Sequence, residues 1–364
     1  MKDVRSEGVG SMLRPTELLQ ARAKHAAGEL PPAEFKRIED QAVDAAIAAQ
    51  EAVGFDVVTD GEMRRRGWMT HFWESVEGLE AEGAPGLPWR NTDPEAEDLE
   101  LAHRPVVVDK LRWKHSACSE EWSYLRGKAD QAKMTLPSAE MAAVLYIPER
   151  SSGAYPTREA YFEDVVDILR REVAELVRLG CEYIQLDAPQ YGALLDPATR
   201  DLFRSQGNDP DKTIDAGIEM DNAIIEGFDG ITFGLHICRG NNQSRFYAEG
   251  DYSPVTRLFE RAKFDRFLLE YDDERSGGFE PLAHVREDAT VVLGLITTKT
   301  GAIMENPDEV ASRIQEAAKY VPLERLALSP QCGFASMMEG NAIATDEQER
   351  KMRLVKQVAT SVWG

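Results

Sequence analysis

The chain has 364 residues, with 42 Lys plus Arg against 64 Asp plus Glu, a formal net charge of −22. That length supports one large α/β domain or two smaller ones, and so acidic a surface counts against general nucleic-acid or anionic-membrane binding. Four cysteines are too few for a disulfide framework, Met1-Lys2-Asp3-Val4-Arg5 is no apolar signal region, and no apolar run reaches membrane-span length, so a cytoplasmic protein with reduced thiols is expected.

Taken in order, the chain begins with an extended stretch leading to Val9-Gly10-Ser11, and helical material starts at Pro15. From Pro31 to Val53 apolar residues recur at Phe35, Ile38, Ala42, Ala45, Ala49 and Val53, which predicts an amphipathic helix closed by Gly54. Phe55–Thr59 reads as a strand running into the polar loop Asp60-Gly61-Glu62-Met63-Arg64-Arg65-Arg66. Between about Gly83 and Arg104 the periodicity vanishes among Pro85, Pro88 and Pro94, which predicts a long loop or insertion near residues 83–130. Val106–Val108 and Lys133–Pro137 are short strand candidates within and after it.

Beyond Pro156 the pattern is regular. Thr157 caps a helix with Phe162, Val166, Leu169, Val173 and Leu176 on one face, ended by Gly180. Strand Tyr183–Asp187, a helix around Thr213–Gly227, strand Ile231–Leu235, a helix at Leu258–Lys263 and strand Phe267–Glu270 follow. Then come strand Thr290–Leu295, a helix opened by Asn306-Pro307-Asp308-Glu309, strand Leu326–Ser329 and a helix near Asp346–Trp363. About eight strand–helix units with continuous apolar strands predict a parallel sheet covered by helices, a (β/α)8 TIM barrel in a single domain over 1–364. The alternative, an open doubly wound sheet, is weakened because no Gly-x-Gly-x-x-Gly turn follows an early strand.

The polar residues at the strand ends carry the chemistry, since barrel enzymes act at that face. His236 and Cys238 are two apart, so their side chains share a face, half of a tetrahedral zinc site. The ordinary role of one cysteine is that of a small buried hydrophobe. Glu270 and Cys332 on other strand ends turn the pair into a candidate zinc centre of two thiolates, one imidazole and one carboxylate. The carboxylate is its displaceable member, and such a centre could strip a substrate thiol of its proton. Glu62 and Asp187 are candidate anchors for an ammonium group, against the plainer role of a surface carboxylate. Arg64, Arg65 and Arg66 could hold an anionic substrate tail, or form a solvated face.

These pieces, together with Asp60-Gly61-Glu62, Ile184-Gln185-Leu186-Asp187 and Gln331-Cys332-Gly333, resemble the catalytic barrel of the cobalamin-independent methionine synthase family. The resemblance implies zinc on His236, Cys238, Glu270 and Cys332, and homocysteine held by Gly10, Ser11, Glu62 and Asp187 with its sulfur activated as a zinc-bound thiolate. It also implies a small alkyl donor, methyltetrahydrofolate or another. Two positions depart from the pattern. Asp-Glu-Pro reads Asp187-Ala188-Pro189, and the family's proton-donating histidine is replaced by Lys299, a poor acid near neutral pH, here the expected general acid. Leu295–Lys299 and Leu269–Asp273 look more like the family's single-domain branch, which includes epoxyalkane:coenzyme M transferases.

The leading expectation is therefore a zinc-dependent S-alkyltransferase that moves a methyl group to a thiol such as homocysteine. The runner-up is addition of a thiol to an epoxide on the same metal, with the arginines holding a sulfonate. A third expectation is a non-catalytic thiol- or zinc-binding protein. Sequence leaves homo-oligomer formation open.

Overall fold

A computed structural model describes residues 3–85, 88–90, 99–100 and 103–364. In chain order the strands are β1 (Val76–Pro85), β2 (Pro88–Trp89), β3 (Leu99–Glu100), β4 (His103–Trp113), β5 (Met134–Pro137), β6 (Tyr183–Asp187), β7 (Thr232–Ile237), β8 (Arg266–Glu270), β9 (Thr290–Ile296) and β10 (Leu326–Pro330). Strands β5 to β10 form one parallel sheet in sequential order. That ladder does not close on itself. Two short segments span the gap through isolated parallel bridges: Ser6 with Leu328, Glu7 with Val57, and Val58 with Ala132. The fold is that of a TIM barrel, with eight staves of which the first two are very short.

Helices cover the outside for the reasons the sequence gives. Helix Pro32–Val53 has proline at its first turn and ends on Gly54 at φ 84°, a conformation glycine adopts without a Cβ penalty. Thr157 and Asn306 accept hydrogen bonds from the first turns of helices Arg158–Arg178 and Pro307–Ala317, as expected of N-caps. Helix Pro197–Ser205 was not anticipated, although Asp196-Pro197 supplies its cap and first residue. The apolar helix faces and the outward strand residues form the main core.

The barrel interior is layered, because alternate residues of a strand share a face. On β8 these are Arg266, Leu268 and Glu270, and on β6 Tyr183, Gln185 and Asp187. At the floor Glu7 is ringed by Lys133 (2.6 Å), Arg266 (2.7 Å) and the Tyr183 hydroxyl (3.0 Å). Gly234 makes room for that tyrosine: a Cβ there would lie 3.0 Å from its hydroxyl. A thin apolar layer of Val9, Leu268, Val292 and Ala327 comes next. Above it, at the strand C-termini, the third layer holds Asp187, His236 and Glu270.

The expected insertion is present but differs in form. It begins at Val76 rather than near residue 83, and β1 pairs antiparallel with β4. Register shifts after Glu77 and Glu80 break the period-2 alternation, which hid the strands in the sequence. The short helix Ser119–Leu125 follows and buries Trp122 in the core. Pro94, one of the residues used to define the insertion, lies outside the described residues. Among the described residues no helix is long and apolar enough to cross a membrane.

Candidate metal centre

β7 ends in His236-Ile237, and Cys238 follows one residue beyond. Parallel pairing sets Asp187 of β6 opposite His236, and His236 opposite Leu268 of β8. The loop after β10 brings in Cys332. A nitrogen of His236 and the sulfurs of Cys238 and Cys332 all lie within 4.8 Å of one another, and all three residues are buried. His236 Nδ1 lies 3.2 Å from the Leu268 carbonyl, which makes it the protonated nitrogen. That leaves Nε2 with its lone pair, buried and without a hydrogen-bond partner. Both cysteines are free thiols. The hydrogen bond from Cys238, with His236 beside it, outweighs burial and holds Cys332 well below the usual thiol range. An imidazole nitrogen converging with two sulfurs in a buried pocket is a donor set suited to zinc.

The loop bearing Cys332 is held rigidly. Asn241 donates to the Gly333 carbonyl (2.7 Å), and Phe334 N–H donates to the Ser11 carbonyl (2.8 Å). Gly333 must be glycine, since a Cβ there would fall 2.0 Å from Ser11 Oγ.

Glu270, expected as the fourth ligand, is not brought into this triplet. Its Oε1 meets Lys299 Nζ at 3.1 Å, and its Oε2 accepts the Arg239 backbone N–H at 2.8 Å. Burial pushes its carboxyl up, but Lys299, Arg239 and Arg275 outweigh this and hold it at about 2. Lys299 is likewise no free acid. Burial favours its neutral form, yet Asp272 and Glu270 raise its pKa above the ordinary lysine value. Lys299, the expected general acid, is here the counter-ion of Glu270.

Beside the triplet stand the two expected ammonium anchors. Asp187 accepts from Gln185 Nε2 (2.7 Å), and burial pushes its carboxyl up to about 7, with His236, Glu62 and Cys332 all acting on it electrostatically. Glu62 sits at φ 54°, a left-handed conformation uncommon for a non-glycine residue, and such backbone strain clusters at functional sites. Its Oε1 accepts the Thr135 hydroxyl (2.9 Å), while Oε2 is buried without a partner. Gly10 packs against this carboxylate, and a Cβ there would lie 2.6 Å from Oε1. Gly10→Ala is therefore expected to displace Glu62 and weaken binding of an amine-bearing thiol about tenfold or more, the worth of one good charged hydrogen bond. Calorimetric titration measures it, and unchanged affinity would remove Gly10 from the site.

The three arginines do not assemble an anion anchor. Arg64 pairs with Asp40 and Glu39, the exposed Arg66 pairs with Glu74, and Arg65 is buried against Glu121. Each is paired with at least one carboxylate. Phe72 and Trp73 pack in the core. Sequence reasoning passed over Thr135 and Arg239. Thr135 shares the inward face of its strand with Lys133, and Arg239 directly follows Cys238, so both signals were present in the pattern.

A parallel barrel whose strand C-termini gather two thiols, an imidazole and buried carboxylates is a TIM-barrel protein with a donor set suited to a metal. The sequence profile described as "Cobalamin-independent synthase, Catalytic domain" matches residues 6–357, and the chain belongs to that family. It is 37% identical over 367 residues to the uncharacterized protein YxjH of Bacillus subtilis, covering 99% of this chain and 94% of that one. It is 27% identical over 328 residues to the methionine synthase of Pyrococcus abyssi, covering 90% and 85%. Among solved structures, a Listeria monocytogenes protein assigned as a vitamin-B12-independent methionine synthase superposes with a TM-score of 0.75 at 28% identity, covering 98% and 97%. The chain is thus a methionine-synthase-like catalytic domain.

Proposed function

We propose that this protein transfers a methyl group to the sulfur of an amine-bearing thiol such as homocysteine, with zinc as its metal. The observation that carries the reading is the convergence of His236, Cys238 and Cys332 beside two buried carboxylates, Asp187 and Glu62. His236 Nε2 and the two sulfurs would hold the zinc, and Glu270 is the candidate for a displaceable fourth ligand. Bound zinc supplies the Lewis acidity that lets a thiol lose its proton near neutral pH.

The remaining work falls to the chain's own residues. Glu62 Oε2 and the Asp187 carboxylate present negative charge to an ammonium group, and Gly10 with Ser11 gives backbone room beside them. The barrel walls exclude water from the thiols, which strengthens each of these charge interactions. Lys299, paired with Glu270 at 3.1 Å, is the cation beside that carboxylate. The name of the Pyrococcus abyssi relative supports homocysteine as acceptor. The partnered state of all three arginines favours it over a sulfonate-bearing thiol.

The test is transfer of isotope-labelled methyl from methyltetrahydrofolate to a panel of thiols by the zinc-loaded protein. Homocysteine is expected to take up label, with kcat/KM at least about tenfold above that of the same thiol lacking its amine. A desamino thiol labelled as well as homocysteine would overturn the acceptor. Tight thiol binding with no turnover of any methyl donor would leave a binding protein instead.

A further inference from the structure

Behind Glu62 lies a buried charged chain that the proposed reaction does not use. The Arg65 side chain is wholly buried between the barrel and helix Ser119–Leu125. Its guanidinium grips Glu121 as a fork, with Nε 3.1 Å from each oxygen and Nη2 2.7 Å from Oε2. Nη1 donates to the Thr135 hydroxyl at 2.7 Å and lies 3.5 Å from Glu62 Oε1. Nη2 donates to the Thr135 carbonyl at 3.1 Å. An arginine has donors only, so the Thr135 oxygen must accept from it. The threonine hydrogen is then free for one direction alone, toward Glu62 Oε1 at 2.9 Å. The relay Glu121–Arg65–Thr135 therefore fixes one oxygen of Glu62 as an acceptor and leaves the other buried without a partner.

We propose that Arg65 is a positioning residue that, through Thr135, keeps Glu62 aimed at the substrate's ammonium group, with Glu121 as the counter-charge that keeps Arg65 from taking both Glu62 oxygens. This rests on the reading of Glu62 as an ammonium anchor. Without Glu121, the guanidinium would be free to form a two-pronged pair with Glu62 itself and occupy the substrate's place. Without Arg65, a buried carboxylate would tend to take up a proton and lose its hold on a cation.

The other charged or titratable groups around this chain are Arg14 and Asp60 near Glu62, Asp187 across the mouth, and Cys118 and His71 against Arg65. Arg14 donates to backbone carbonyls, including those of Glu62 and Arg65, rather than to the Glu62 carboxylate. His71, Cys118 and Glu121 also offer atoms within 4.8 Å of one another, a spacing a cation could use. Arg65 already supplies the positive charge there, donating to Glu121 and lying 3.7 Å from the Cys118 sulfur.

The test compares binding of homocysteine and of its desamino analogue to the zinc-loaded protein by calorimetry, in wild type, Arg65→Met, Arg65→Lys and Thr135→Val. Wild type should prefer homocysteine. Arg65→Met should lose that preference by about tenfold or more at pH 7, with the analogue's affinity unchanged and the acid limb of homocysteine binding moved to higher pH. Arg65→Lys should recover part of the preference. Thr135→Val, which leaves Arg65 paired with Glu121 and is the safer variant for folding, should lose it in the same sense. An intact preference in both Arg65→Met and Thr135→Val overturns the proposal, as does an equal loss for both thiols, which marks a structural role only. A wild type that binds both thiols equally removes the ammonium-anchor reading itself, which is a different failure.

Discussion

Cys332→Ala is expected to abolish methyl transfer and to lower zinc affinity by more than about 100-fold, since changes to residues that merely orient ligands already cost 10–100-fold. The barrel should survive the change. Cys332 lies in a loop after β10, and that loop is tied down by Asn241, Ser11 and the Thr298–Gln331 pair rather than by the sulfur. The loss should therefore appear in metal content after dialysis against a weak chelator, with the melting temperature of the metal-free form little moved. Glu270→Gln makes the informative contrast. It removes a charge already neutralised by Lys299 and should cost less zinc affinity than the loss of either sulfur. Zinc content equal to wild type in Cys332→Ala would overturn the ligand assignment altogether.

The second large effect is on stability and lies at the opposite end of the barrel. Glu7 is fully buried, and its two oxygens serve Lys133, Arg266 and Tyr183. Glu7→Gln leaves two buried cations without a counter-ion and is expected to destabilise the fold by about 3–5 kcal/mol at neutral pH. Replacing Glu7, Lys133 and Arg266 together with apolar residues of similar volume should recover much of that loss, because the desolvation of three charges is removed with them.

The pH dependence has a definite sign. Burial raises the Glu7 pKa, but Lys133 and Arg266 outweigh it and place the folded value below the ordinary 4.5. A carboxyl whose folded pKa is depressed contributes stability that is complete above the unfolded pKa and is lost as pH falls through the folded one. The gap between wild type and Glu7→Gln should therefore be largest above about pH 5 and shrink on further acidification. Urea melts at pH 7 and at pH 3.5 measure it, and an equal gap at both would show that Glu7 acts through packing rather than charge.

The ordinary value of these two residues in a sequence is very different. Cys332 was legible, because a glycine-flanked cysteine past a strand joins a His-x-Cys pair in an obvious search for donors. Glu7 was not singled out, because its partners Lys133, Tyr183 and Arg266 are 126, 176 and 259 residues away. No local pattern marks a charge whose partners come from other staves of the barrel. Of the hairpin of β1 and β4 only Val106–Val108 was legible as strand, for a related reason: bulges shift its register, and periodicity is a local signal.

By itself, then, the sequence determined the order of the strands and of the main helices from Arg158–Arg178 onward, helix Pro197–Ser205 excepted, the barrel class, and the set of polar residues carried on strand ends. Helix faces, caps and strand runs are written within a few residues of each other, and local reading recovers them. Only the tertiary structure decided which of those polar residues meet. Parallel register set Asp187 beside His236 and brought Cys332 to the same point. It also joined Lys299 to Glu270 and closed Arg64, Arg65 and Arg66 onto carboxylates, so that none of the three assembles an anion anchor. A side chain's charge, aim and availability depend on partners brought near by the fold, and residue type and spacing alone do not specify them.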